Sequence, residues 1–148
     1  MTFSLVMVAA AVLQAQATQA CPVTQPVIIA ENFTLVLFES GSARLSAQAL
    51  TLLEGWSQLI RGQHFPARVE LTGGADRVGS RQANLRLSFR RAAAVRDYLV
   101  RSGIRRPQIR VSGFGEERPL VDTADGASEA QNRVVQLLML MDPREPHC

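Results

Sequence analysis

The amino-acid sequence predicts an α/β protein: a two-layer α+β sandwich in which two helices cover one face of a mixed sheet. Three observations carry the prediction. Two stretches, Ser46–Arg61 and about Ser80–Ser102, repeat apolar residues at helical spacing. Short runs rich in β-branched residues flank each of them, with Gly and Ser at the joints. Two of these runs end the chain with no helix between them, so the order reads β-α-β-α-β-β. The β-α-β units are expected to cross over right-handed.

Each element has its own signal. Val27–Phe38 (VIIAENFTLVLF) reads as one or two strand segments, broken at Glu39-Ser40-Gly41-Ser42. The first helix has Ser46 as N-cap, an apolar face of Ala49, Leu52, Leu53, Trp56 and Leu59/Ile60, and Gly62 as its stop. Ala67–Leu71 alternates as a half-buried strand does. The second helix starts between Ser80 and Gln82, carries Leu85, Ala92, Val95, Tyr98 and Leu99 as its apolar stripe, and ends at Gly103. Gln108–Ser112 alternates again. Gly113 to Gln131, with Gly113, Gly115, Pro119 and Gly126, is a loop. The long apolar run Arg133–Met141 predicts a central strand buried on both faces.

A chain of 148 residues, 47% hydrophobic and 20% charged, holds one domain with short terminal extras. Residues 3–17 are apolar or small and lead to Ala15-Gln16-Ala17, an A-x-A site, so residues 1–20 read as a signal peptide without the usual basic start. An N-terminal core helix is the competing reading. The polar Thr18–Pro26 segment separates this run from the rest, and the run is short for a transmembrane span. Residues 21–26 form a short linker, 27–142 the domain and 143–148 a polar tail. Cys21 and Cys148 sit near opposite ends; a bridge between them, lipidation of Cys21 after the weak lipobox Thr-Gln-Ala, and free thiols all stay open.

Net charge is +3, and all sixteen basic residues are arginine. Ten lie between Arg77 and Arg110, which raises nucleic acid as a partner. Aromatics make up only 5% and do not interleave with the basic run, which disfavours a stacking platform. Arg86, Arg90 and Arg96 read as a solvated helix face.

Catalytic chemistry has little to stand on. His64 and His147 fit no metal-ligand spacing, and the two cysteines supply none. No serine sits in a nucleophile elbow. Gly113-Phe114-Gly115 opens no helix and reads as a turn. The sequence therefore predicts no enzyme, no metal and no cofactor. It does offer a binding pattern in LTGGADRVGSRQANLRLSFRRA, Leu71 to Ala92. Asp76 lies in a Gly-rich turn after a strand, while Asn84, Ser88 and Arg91 fall on one face of the following helix. An acid and an arginine held together could grip a ligand carrying both an ammonium and a carboxylate. Spacing alone allows equally that Asp76 and Arg91 form a salt bridge, and that Asn84 and Ser88 cap or bond back to the helix.

These residues resemble the C-terminal, OmpA-like peptidoglycan-binding domain shared with peptidoglycan-associated lipoproteins and flagellar motor stators. That family's pattern is Gly-His-Thr-Asp, a Gly, then Asn-x-x-Leu-Ser-x-x-Arg-Ala-x-x-Val. Here Gly73, Asp76, Gly79, Asn84, Leu87, Ser88, Arg91, Ala92 and Val95 fall in register. Gly113-Phe114-Gly115-Glu116 with Pro119 resembles its Gly-aromatic-Gly-Glu-x-x-Pro loop. Asn132-Arg133 with Val135 resembles its closing strand, and Phe38–Ala43 with Leu45 the end of its first strand. The resemblance covers Val27 to Met141. It implies an OmpA-C-like fold and non-covalent binding of the peptidoglycan stem peptide at diaminopimelate, in the periplasm and in association with the outer membrane. By resemblance Asp76 holds the ammonium and Arg91 the carboxylate, assisted by Asn84, Arg133 and Glu39. Other envelope proteins are the alternative partners. Three departures stand out: Gly74-Ala75 replaces His-Thr, Glu39 stands where Asp is frequent, and Val134 replaces the second Arg of the closing pair. They leave the strength of binding open.

Overall fold

The computed structural model describes residues 33–62 and 67–141. The signal-peptide, linker and tail readings, both cysteines, both histidines and residues 27–32 of the first strand stretch lie outside the described residues. Within them the order is β1 (Phe33–Leu37), α1 (Ala47–Arg61), β2 (Ala67–Gly73), α2 (Arg81–Arg101), β3 (Ile109–Gly113) and β4 (Val134–Met141), as predicted. Short 3-10 turns precede β3 and β4.

The four strands lie in the order β1-β4-β2-β3. β4 runs antiparallel to both neighbours, and β2 pairs parallel with β3 across the α2 crossover. β4 is central, as its composition implied, but it is not buried on both faces. Val135, Leu137 and Met139 are buried, while Gln136, Leu138 and Leu140 between them are only partly covered. Both helices pack on the same face, so among the described residues the alternate residues of β4 meet no second layer. The inward residues Val36, Val69, Leu71, Val135, Leu137 and Met139 share one core with Ala49, Leu53 and Ile60 of α1 and Ala92, Val95 and Leu99 of α2.

Helix ends follow local chemistry. Ser46 and Ser80 accept from the backbone N–H of Ala49 and Ala83 at 3.1 and 3.2 Å. α2 ends in a Schellman pair: Ile104 N–H donates to Leu99 O and Gly103 N–H to Val100 O, both at 3.0 Å. Gly103 makes this possible at φ +95°, where a side chain would be strained. The predicted stripe of α2 needs one correction. Leu85 is 42% exposed, and Leu87 is buried in its place. The sheet sets the buried side of α2 at Asn84, Leu87, Ser88, Arg91, Ala92, Val95 and Leu99. The polar residues at its centre hid that face from an apolar count.

Two glycines let α2 press against the carboxyl ends of β2 and β3. A Cβ on Gly73 would stand 2.0 Å from the carbonyl oxygen of Ser88, and one on Gly113 would stand 2.5 Å from Ser88 Oγ. The close approach brings the α2 face carrying Asn84, Ser88 and Arg91 up to the turn that carries Asp76.

Candidate functional site

Five elements converge at this end of the sheet: the chain after β1, the turn after β2, the first half of α2, the long loop 114–131, and Arg133 at the entry to β4. Arg91 is fully buried. Its Nε donates to Ser42 O at 2.8 Å, one terminal nitrogen to Gly74 O at 3.0 Å and the other to Glu39 O at 3.0 Å. The guanidinium lies 5.4 Å from the centre of the buried Phe38 ring. A guanidinium has five N–H groups, and three are engaged in these bonds.

Asp76 is 4% exposed. It does not pair directly with Arg91. Its Oδ2 accepts from Arg133 at 3.1 Å and from Ser128 Oγ at 3.3 Å. The same Arg133 nitrogen donates to Ser128 Oγ at 3.0 Å, while Arg133 Nε donates to Phe38 O at 3.1 Å. The salt bridge that spacing allowed thus exists with a different cation, one 57 residues distant in sequence. Sequence distance conceals that pairing, because β4 returns to the centre of the sheet beside β2.

The cluster holds one carboxylate against two guanidinium groups. Burial pushes the Arg91 pKa down from the usual guanidinium range to about 10; Asp76 opposes the shift, while Arg133 and Arg90 add to it. Arg91 therefore stays charged at neutral pH, and the site has a surplus of positive charge in a poorly solvated setting. A carboxylate brought there would offset the surplus.

Of the residues singled out in the sequence, Asp76, Arg91 and Arg133 come together. Glu39 joins them through its backbone carbonyl, with the residue itself exposed. Asn84 stands apart. It is buried, and its amide donates to Glu116 Oε2 at 2.6 Å, anchoring the Gly113–Glu116 turn. Ser88 Oγ accepts from Gly115 N–H at 3.0 Å, and Ala75 N–H donates to Gly115 O at 2.8 Å. The substituted Gly74-Ala75 pair is thus built into the wall: Ala75 is buried, and a Cβ on Gly74 would reach 3.1 Å from Asn132 O.

The loop is held from several sides. The buried Asn132 amide clamps Val121, accepting from its N–H at 2.9 Å and donating to its carbonyl at 2.7 Å. Arg77 donates to Thr123 O and lies 3.6 Å from both Asp122 and Asp125. A polar cleft of about 650 Å³ opens here, lined by Arg77, Arg81, Glu116, Glu117 and Asp125 among others. Ser128 and Phe38 are site residues that sequence reading missed. Ser128 sits in an unremarkable Gly-Ala-Ser-Glu loop that carries no signal. Phe38 had one, since an aromatic ring ending a strand beside an acid is a natural seat for an arginine.

Comparison with known proteins fits this architecture. A sequence model described as the OmpA family matches residues 37–133. The chain is 38% identical over 104 residues to the peptidoglycan-associated lipoprotein of Pseudomonas aeruginosa, covering 70% of this chain and 61% of that protein. It is 30% identical to the probable lipoprotein YiaD of Escherichia coli, covering 70% of this chain and 47% of that one. The chain thus spans about three-fifths or less of the length of these relatives. Among solved structures, the peptidoglycan-associated lipoprotein of Burkholderia pseudomallei superposes with a TM-score of 0.66 at 31% identity, over 71% of this chain and 88% of that one. The C-terminal domain of Helicobacter pylori MotB, 19% identical over 72% of this chain and 83% of that one, shares the fold with a TM-score of 0.62. With the family model matched over more than half its length, the chain belongs to the OmpA family.

Proposed function

We propose that this chain is a non-enzymatic domain of the cell envelope that binds peptidoglycan through the diaminopimelate of the stem peptide. The observation that carries the reading is the cluster of one acid and two arginines, the buried Asp76 and Arg91 with the partly buried Arg133. Its charges match a ligand that presents an ammonium beside a carboxylate. In this reading the ammonium takes the place of the Arg133 N–H at Asp76. Arg133, so released, joins Arg91 in holding the carboxylate through charge-assisted hydrogen bonds. Asn84 acts at a distance by fixing the Glu116 turn, and Glu39 by holding the Arg91 fork. The names of the relatives, peptidoglycan-associated lipoprotein and Outer membrane protein A, support a place at the wall in the periplasm, next to the outer membrane. A leader over residues 1–20 and a binding domain over 27–142 belong to the same reading. Among the described residues no helix is long and apolar enough to cross a membrane.

Co-sedimentation with purified sacculi tests this. Asp76→Asn keeps the shape and an acceptor but removes the charge that holds the ammonium. Retention should fall at least tenfold while the variant still melts cooperatively. Unchanged retention in the folded variant would overturn the assignment. One observation favours a second reading, a module that docks another envelope protein: Asp76 already has two partners within the chain. Free diaminopimelate separates the two, since a rise in melting temperature on its addition supports the clamp and no rise supports the docking module.

A further inference from the structure

We propose that the solvent-facing flank of α2, with the turn that follows it, is a docking surface for the anionic headgroups of a phospholipid bilayer. Charge is unevenly spread along the chain. Residues 77–110 hold ten arginines and one acid, Asp97, while the remaining 114 residues hold six arginines and twelve acids. The lone acid is already held by Arg96 at 2.7 Å. Arg77 and Arg81 face carboxylates of the loop, and Arg91 is buried. That leaves six, all exposed and without a carboxylate partner among the described residues: Arg110 on β3, and Arg86, Arg90, Arg101, Arg105 and Arg106 on α2 and the turn after it.

Their arrangement suits a flat surface. α2 has 21 residues, so its flank runs for about 31 Å. Arg86 and Arg90 are one turn apart on it, and Arg101, Arg105 and Arg106 follow at its far end. Beside the first pair lie Leu85 and Phe89, also one turn apart, 42% and 44% exposed. The helix backbone at Leu85 and Phe89 runs against Gly115 and Gly113, with one edge of the Phe89 ring against Gly113, which fixes the helix and leaves part of each side chain at the surface. A convex helix flank with apolar side chains beside arginines can let the apolar pair enter the headgroup boundary while the arginines meet phosphates. A peptide would want a groove, and a nucleic-acid single strand would want stacking rings at intervals. The inference does not rest on the diaminopimelate clamp, which faces the opposite, buried side of α2.

Flotation of the full chain with phosphatidylglycerol–phosphatidylcholine vesicles, against pure phosphatidylcholine vesicles, is the test. Binding is expected only to the anionic vesicles and should weaken as salt rises. Each arginine near the surface is worth about fivefold in partitioning, so R86Q/R90Q should lose more than tenfold, and R101Q/R106Q a comparable amount. L85S/F89S should lose several-fold at unchanged charge. R44Q/R118Q, which removes the same charge from exposed sites elsewhere, should lose far less. Equal losses in all the arginine pairs, absence of vesicle binding, or capture of duplex DNA in place of vesicles would each overturn the proposal. Retention on sacculi should be unaffected by R101Q/R106Q, so a failure here and a failure of the clamp are distinguishable.

Discussion

Replacing Arg91 by methionine asks whether this arginine serves the fold as well as the ligand. The side chain has similar reach and is apolar, so the volume is largely kept. What goes is the fork that ties three separate segments together: Ser42 O and Glu39 O after β1, and Gly74 O after β2. Each carbonyl left unpaired in a buried setting costs about 1–3 kcal/mol. Against this, the variant escapes the burial cost that lowers the Arg91 pKa to about 10. Taking the low end for each carbonyl, the net loss should be about 3 kcal/mol, a large share of the ~5–15 kcal/mol typical of a domain. Urea unfolding followed by Trp56 fluorescence measures it, with the slope of the transition checked for constancy. Arg91→Lys keeps the charge and loses the fork; it should fall between methionine and the parent chain. A loss below about 1 kcal/mol for methionine would refute the reasoning, because the three carbonyls would then have found other partners.

Three further outcomes follow from the packing. Gly73→Ala places a methyl 2.0 Å from the Ser88 carbonyl and should cost about 3 kcal/mol or more, whereas Gly55→Ala, exposed in α1 with nothing within 4 Å, should gain about 0.5–1 kcal/mol; thermal melts of the pair check both signs. Leu87→Ala should cost about 2–3 kcal/mol and Leu85→Ser less than about 1 kcal/mol, the reverse of what an apolar count along α2 suggests, and denaturant titration decides. Asn132→Ala strips both bonds to Val121 and should cost about 2 kcal/mol, with faster amide exchange confined first to the 114–131 loop.

The order of elements was readable because each was announced locally. Serine caps, terminal glycines and alternation act over a few residues, and the chain's own stereochemistry enforces them. Composition also marked β4 as an inner strand, since a run of Val, Leu and Met has no edge-strand pattern. The two errors share one cause. Counting apolar residues cannot tell that the second face of β4 is only partly covered, nor that Asn84, Ser88 and Arg91 occupy the middle of a buried helix face. Those facts depend on which surface an element meets.

The same division runs through the site. By itself the sequence determined that an acid in a glycine turn and an arginine nearly three turns into the next helix lie at one end of a sheet, because a strand, a tight turn and a helix leave little freedom between them. Only the tertiary structure decided how the charges are shared. The Asp76 partner is Arg133, delivered at the entry to a strand that returns through the middle of the sheet, and Arg91 is claimed by carbonyls of the segments that follow β1 and β2. The physical reason is range. Helix and turn geometry constrain neighbours within a few residues, whereas a buried charge takes whatever partner the folded core brings within about 3 Å.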